Sequence, residues 1–183
     1  MLVAPPRNCG NYEDRVMRKA WIWLVVLVCV GVAVGQAGGG ADPMAPVSWM
    51  AGKWAAEVKA PGSDKTTSIV ANYEPVLGGK MLKIQTSFDG KPSYEGMMGY
   101  DAAKQAVAFW YMTGEGESVN GTAVQDGDSV LFDFTIAKGA EPVQHLQTRL
   151  HRDDADHYTW TLFANPKGAG WAKLFDVHYH RVS

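Results

Sequence analysis

Cysteine is nearly absent from this 183-residue chain: Cys9 and Cys29 are the only two, and both lie near the N-terminus. Enzyme signatures are missing as well. There is no Gly-x-Ser-x-Gly, no phosphate-cradling glycine loop and no His-Glu-x-x-His, which removes serine-hydrolase, P-loop and zincin chemistry. Basic clusters are lacking and the formal charge is −2, so nucleic acid is not expected as a partner. Long hydrophobic runs are scarce too. The single one, Ala20 to Val34, is about 15 residues, short of the roughly 18 to 20 that cross a bilayer as a helix.

That run is nevertheless informative, because Arg18-Lys19 precedes it and the small residues Gly35 and Ala37 follow it. Two positive charges, a short apolar core and a small-residue end have the three-part form of a secretory signal peptide. Residues 1–37 are therefore expected to be a leader, and the protein to be exported to the periplasm or secreted. Membrane contact is expected only through an uncleaved leader. Met17 stands directly before Arg18-Lys19, where such leaders begin. Residues 1–16, with Pro5-Pro6 and no periodicity, read as a mis-called start or a disordered extension. Cys29 follows Val28 rather than a small residue, which disfavours lipidation. Cleavage near Gly35 or Ala37 leaves about 146 residues, enough for one domain with one good core. Both cysteines leave with the leader, so the mature chain has no thiol for disulfides, thiolate catalysis or cysteine-ligated zinc. Residues 38–46, rich in Gly and Pro, read as a flexible linker, and 47–183 as the folded domain.

From there the chain reads as strand after strand. Segments rich in Val, Thr, Phe, Tyr and Trp recur between turn signals: Gly52–Lys59, Thr66–Tyr73, Lys80–Phe88, Ser93–Tyr100, Ala106–Thr113, Ser118–Val124, Ser129–Ile136, Gln144–Arg152, His157–Ala164 and Trp171–Val182. Pro61-Gly62, Gly78-Gly79, Asp89-Gly90, Asp126-Gly127 and Lys167-Gly168 supply the positive φ angles that tight turns need. Only Pro46 to Met50 and Asp101 to Lys104 suit helical turns. No Cys-Trp-Cys spacing favours an immunoglobulin sandwich. The pattern predicts an all-β fold, a roughly ten-stranded antiparallel up-and-down barrel.

Trp49-Met50-Ala51-Gly52-Lys53-Trp54 resembles the opening aromatic-x-x-Gly-x-Trp signature of lipocalin-like barrels, the calycin superfamily. Together with Tyr73-Glu74-Pro75-Val76-Leu77-Gly78-Gly79-Lys80 and Tyr94-Glu95-Gly96-Met97-Met98-Gly99-Tyr100-Asp101, it is similar to a family of secreted bacterial barrels classed as a domain of unknown function. The resemblance implies a fold and no chemistry. It also implies a structural trio: Gly52 admitting a close backbone, Trp54 plugging the barrel, and Arg181 of the last strand stacked on that Trp.

Candidate site residues follow from strand alternation. Ala106 to Thr113 is apolar on both faces: Trp110 and Met112 share one, Phe109 and Tyr111 the other, and one of the two faces needs cover. Met98, Trp110, Met112, Trp160 and His178 are the residues expected to line an adaptable apolar pocket holding a small apolar molecule. The competing reading is that these side chains simply pack a filled barrel, leaving an interaction module. Asp176, His178 and His180, spaced by two, share one face of the last strand and form the candidate metal set if that face points inward. No cofactor is expected; a divalent metal or haem is the alternative. The ending Tyr179-His180-Arg181-Val182 is similar to that of nitrobindin-type haem barrels. Their ligand histidine, however, aligns here with Leu174 or Asp176, and only a register shift would bring His178 to that place. His145, Arg149 and His151 alternate with Leu146, Thr148 and Leu150 and are expected to face solvent. Gly114-Glu115-Gly116-Glu117 reads as an acidic hairpin tip, and Asn120-Gly121-Thr122, formally a glycosylation acceptor, as a strand edge. Oligomeric state and ligand identity are not legible.

Overall fold

The computed structural model describes residues 42–59, 65–165, 168 and 170–182. The expected leader, residues 1–37, lies outside them, as do residues 38–41, Pro61-Gly62 and Lys167. Of the expected linker, 42–46 are described: Asp42, Pro43 and Ala45 are exposed, Pro46 is half-buried and Met44 is buried. Asp42 Oδ1 accepts the Met44 N–H at 2.9 Å, and Met44 is 2% exposed. A one-turn helix, α1 (Ala45–Ser48), follows, with Pro46 near its start, where a missing N–H costs nothing.

Ten antiparallel strands succeed one another in chain order. They are β1 (Gly52–Lys59), β2 (Thr66–Val76), β3 (Met81–Phe88), β4 (Lys91–Asp101), β5 (Ala106–Thr113), β6 (Ser118–Asp126), β7 (Ser129–Ala137), β8 (Gln144–Arg152), β9 (His157–Ala164) and β10 (Ala172–Val182). Each pairs with its sequence neighbours, and β1 pairs with β10 to close the barrel. The predicted fold class is therefore the observed one, with a 3-10 turn, Leu77–Gly79, between β2 and β3. The seam is short, with three pairs from Lys53↔Val182 to Ala55↔His180. Asn120-Gly121-Thr122, read as a strand edge, lie instead inside β6, paired on both sides.

The turns follow their residues. Asp89 and Gly90 take φ of 49° and 74°, the left-handed pair of a two-residue hairpin whose strands keep their twist. Asp101 is the other local organiser; its Oδ1 accepts the N–H groups of Ala103 and Lys104.

The inward faces make a large cluster and a small second one of Ala56, Ile69 and Val177. The larger one is the main core. It runs from Met44, Val47 and Met50 through Trp54, Leu82, Met98, Val107 and Phe109 to Phe132, Leu150 and Tyr158. At the end where β1 starts, Trp54 is fully buried, its Nε1 donating to the Met50 carbonyl at 2.7 Å. The Arg181 guanidinium lies 4.2 Å from the Trp54 ring centroid. Its Nη1 donates to the Ala51 carbonyl at 2.8 Å and its Nη2 to that of Trp49 at 3.2 Å. Gly52, at φ 115°, passes so close that a Cβ there would stand 2.7 Å from Nη1. Trp49, Trp54 and Tyr158 meet edge to face, giving this end an aromatic floor.

Candidate functional site

Above that floor the barrel is not filled. A cavity of about 510 Å³ occupies the lumen, within the range of small-molecule sites. Its walls are apolar: Ile69, Ile84, Phe109, Phe132, Phe134, Leu146, Leu162 and Val177 among them. No Lys, Arg, His, Asp or Glu is among the described residues that line it.

Met98 and Trp160, two of the expected pocket residues, are in this wall. Trp110, Met112 and His178 are not, and this corrects the sequence reading. Trp110 is 51% exposed and Met112 46% exposed on the outer face of β5, while Val107, Phe109 and Tyr111 point inward. The neighbouring strands decide this choice. Gly96 of β4 pairs with Tyr111, and a Cβ there would approach the Tyr111 Cβ to 2.4 Å. Gly121 of β6 pairs with Phe109, and a Cβ there would reach that ring at 2.8 Å. Two glycines thus clear interior space for the rings of β5, which leaves Trp110 and Met112 outside, Trp110 with Met81 and Met97 along a surface groove.

On β10, Val177 and Tyr179 take the lumen, so Asp176, His178 and His180 stand on the outer face. They do not converge. Asp176 accepts hydrogen bonds from Thr161 Oγ1 and Lys173 Nζ, which hold its carboxyl below the usual carboxylate range. His178 Nδ1 is 3.1 Å from Thr159 Oγ1 on the adjacent strand. Among the described residues, no three His, Cys, Asp or Glu side chains are placed to hold a metal ion. Leu174, the other position aligned with the haem ligand, is 54% exposed. Among the described residues no histidine lines the lumen, so the expected histidine ligand to haem is not offered there. His145, Arg149 and His151 face outward, as alternation requires. His145 Nε2 is 2.7 Å from Asp133 Oδ1 and Arg149 is paired with Asp126. Glu115 and Glu117 flank the hairpin tip and share Lys138.

What the sequence reading missed is polar. Five tyrosines, Tyr73, Tyr94, Tyr111, Tyr158 and Tyr179, line the cavity. Tyr158 and Tyr179 stack with centroids 4.7 Å apart, and Tyr94 and Tyr111 lie 5.3 Å apart. Burial pushes the Tyr73 phenol up to about 12, partly offset by its contact with Tyr158. Burial raises the other four as well, and Tyr73, Tyr94 and Tyr111 each act electrostatically on Tyr179. All five are thus neutral phenols that can donate a proton in a hydrogen bond. The hydroxyls of Tyr94, Tyr111 and Tyr179 have no hydrogen-bond partner among the described residues, and none is a sealed, unsatisfied atom; they face cavity space. Tyr73, Tyr94, Tyr111, Tyr158 and Tyr179 all fall on inward positions of their strands, which the closed sheet decides.

The crystal structure of Rv2717c from M. tuberculosis is similar in fold, with a TM-score of 0.52 at 16% identity, covering 78% of this chain and 99% of that one. At that identity the likeness extends to architecture alone. No curated protein matches the chain in sequence. The sequence profile of a family described as "Protein of unknown function (DUF1579)" matches residues 45–181, from α1 to the end of the last strand, and the chain belongs to that family.

Proposed function

We propose that this protein is an exported, lipocalin-like carrier or receptor that holds one small, mainly apolar molecule in its lumen. The observation that carries the reading is the cavity of about 510 Å³ above the Trp54 floor, walled by aliphatic and aromatic side chains. Packing voids of that size are not ordinary in domains this small, whose interiors are close-packed. A filled barrel acting only through its outer surface is disfavoured by the same cavity. Export is inferred from Arg18-Lys19, the apolar run and the small residues after it.

Native mass spectrometry tests the reading, on protein produced in its own host and purified without metal-affinity steps. The expected result is excess mass that organic solvent removes. A consistently bare mass, with no apolar probe raising the melting temperature, would overturn it.

A further inference from the structure

We propose that Tyr94, Tyr111 and Tyr179 form a hydrogen-bonding subsite that selects neutral apolar molecules carrying an acceptor oxygen, a carbonyl above all. This rests on the lumen being a ligand site, and specifies what the site recognises.

Three observations combine. The hydroxyls of Tyr94, Tyr111 and Tyr179 face the cavity with no hydrogen-bond partner among the described residues. In an apolar wall such donors are costly to leave unmade, and a ligand acceptor satisfies them. Their strands hold them in fixed places. Tyr94 of β4 stands across from Thr113, Tyr111 of β5 across from Gly96, and Tyr179 of β10 across from Tyr158. The missing side chain at Gly96 is what lets Tyr111 sit on the inner face, since a Cβ there would stand 2.4 Å from the Tyr111 Cβ.

The character of the ligand follows from what the lumen lacks. No cationic side chain is among the described lining residues. The nearest inward-facing guanidinium, Arg181, is taken up by the carbonyls of Trp49 and Ala51 and by the Trp54 ring. A carboxylate placed here would lose its hydration without a counter-charge. A carbonyl needs only donors, and its two lone pairs can accept from two phenols at once. Phenols donate and, being neutral, do not repel an apolar body.

The test is calorimetric titration of the whole protein with three probes of matched medium chain length: an n-alkane, a methyl ketone and the free fatty acid. In the native protein the ketone is expected to bind about ten- to a hundredfold more tightly than the alkane, through two hydrogen bonds. Each of Tyr94→Phe, Tyr111→Phe and Tyr179→Phe removes one oxygen and no ring. Because those oxygens hold no partner in the protein, folding should be unaffected, which circular dichroism and melting check. The triple variant is expected to bring ketone affinity down to that of the alkane while leaving alkane affinity unchanged. Equal binding of ketone and alkane to the native protein, or a ketone preference that survives the triple substitution, overturns the subsite and leaves the apolar lumen standing. Tighter binding of the free acid at neutral pH overturns the neutral class in favour of an anion site. If no probe binds, the lumen reading itself falls, and the subsite with it.

Discussion

Replacing Arg181 with methionine keeps most of the stem that packs on Trp54 and removes the guanidinium that ties the barrel floor together. Two charge-assisted hydrogen bonds in the floor are lost, to Ala51 at 2.8 Å and Trp49 at 3.2 Å, along with the cation–π contact at 4.2 Å. A longer hydrogen bond to the Ala155 carbonyl and an exposed ion pair with Asp156, both at 3.4 Å, go with them. Such hydrogen bonds are worth about 1.5–3 kcal/mol each when shielded, and the ring contact about 0.5–1 kcal/mol. The side chain is one-third exposed (33%), so screening discounts the total, and the expected loss is about 2–4 kcal/mol. Gly52→Ala sharpens the test. It carries two separate penalties: a left-handed φ of 115° and a Cβ 2.7 Å from Arg181 Nη1. The backbone share is about 1–3 kcal/mol and persists in any background. The steric share disappears once Arg181→Met is made, so the double variant should be about 1 kcal/mol less destabilised than additivity predicts. Urea unfolding followed by tryptophan fluorescence measures all four corners of the cycle. A loss below about 0.5 kcal/mol for Arg181→Met, or additivity within the same margin, would refute this account of the floor.

Other consequences are equally direct. Met98→Ala, in the lumen wall, should cost about 2–5 kcal/mol, whereas Trp110→Ala, on the outer face, should stay within about 0.5 kcal/mol of the native protein in the same unfolding assay. Tyr73 ionises near pH 10 when unfolded but only at about 12 when folded. The unfolded state therefore loses its proton first, and stability falls as pH rises through that window, by about 1.4 kcal/mol per pH unit for this group. Denaturation midpoints measured from pH 9 to 12 should drop accordingly, and Tyr73→Phe should flatten the slope. His178→Ala should leave any bound cargo and metal content unchanged in native mass spectra, since the side chain faces out from β10. Finally, the protein recovered from its host envelope should have a mass and N-terminal sequence that place cleavage near Gly35 or Ala37; an intact N-terminus would refute export by a cleaved leader.

Much of this architecture is local, and local chemistry is written in the chain. Turn residues such as Asp89-Gly90, together with β-branched and aromatic runs, set ten strands, and the expected ends of β1, β5, β8 and β9 coincide with the observed ones. The Gly-x-Trp block, and Arg181 through the resemblance to lipocalin-like barrels, pointed to the floor, where Arg181 stacks on Trp54. A period of two, however, tells which residues share a face and not which face points in. For Ala106 to Thr113 both faces are apolar, and the choice fell to Gly96 and Gly121 on the neighbouring strands, which alone leave space for Tyr111 and Phe109. For β10 the same question placed Asp176, His178 and His180 outside and Tyr179 inside. The cavity and its unpartnered phenols belong wholly to the closed sheet. Five tyrosines scattered between positions 73 and 179 become one surface only when ten strands curl until the first pairs with the last.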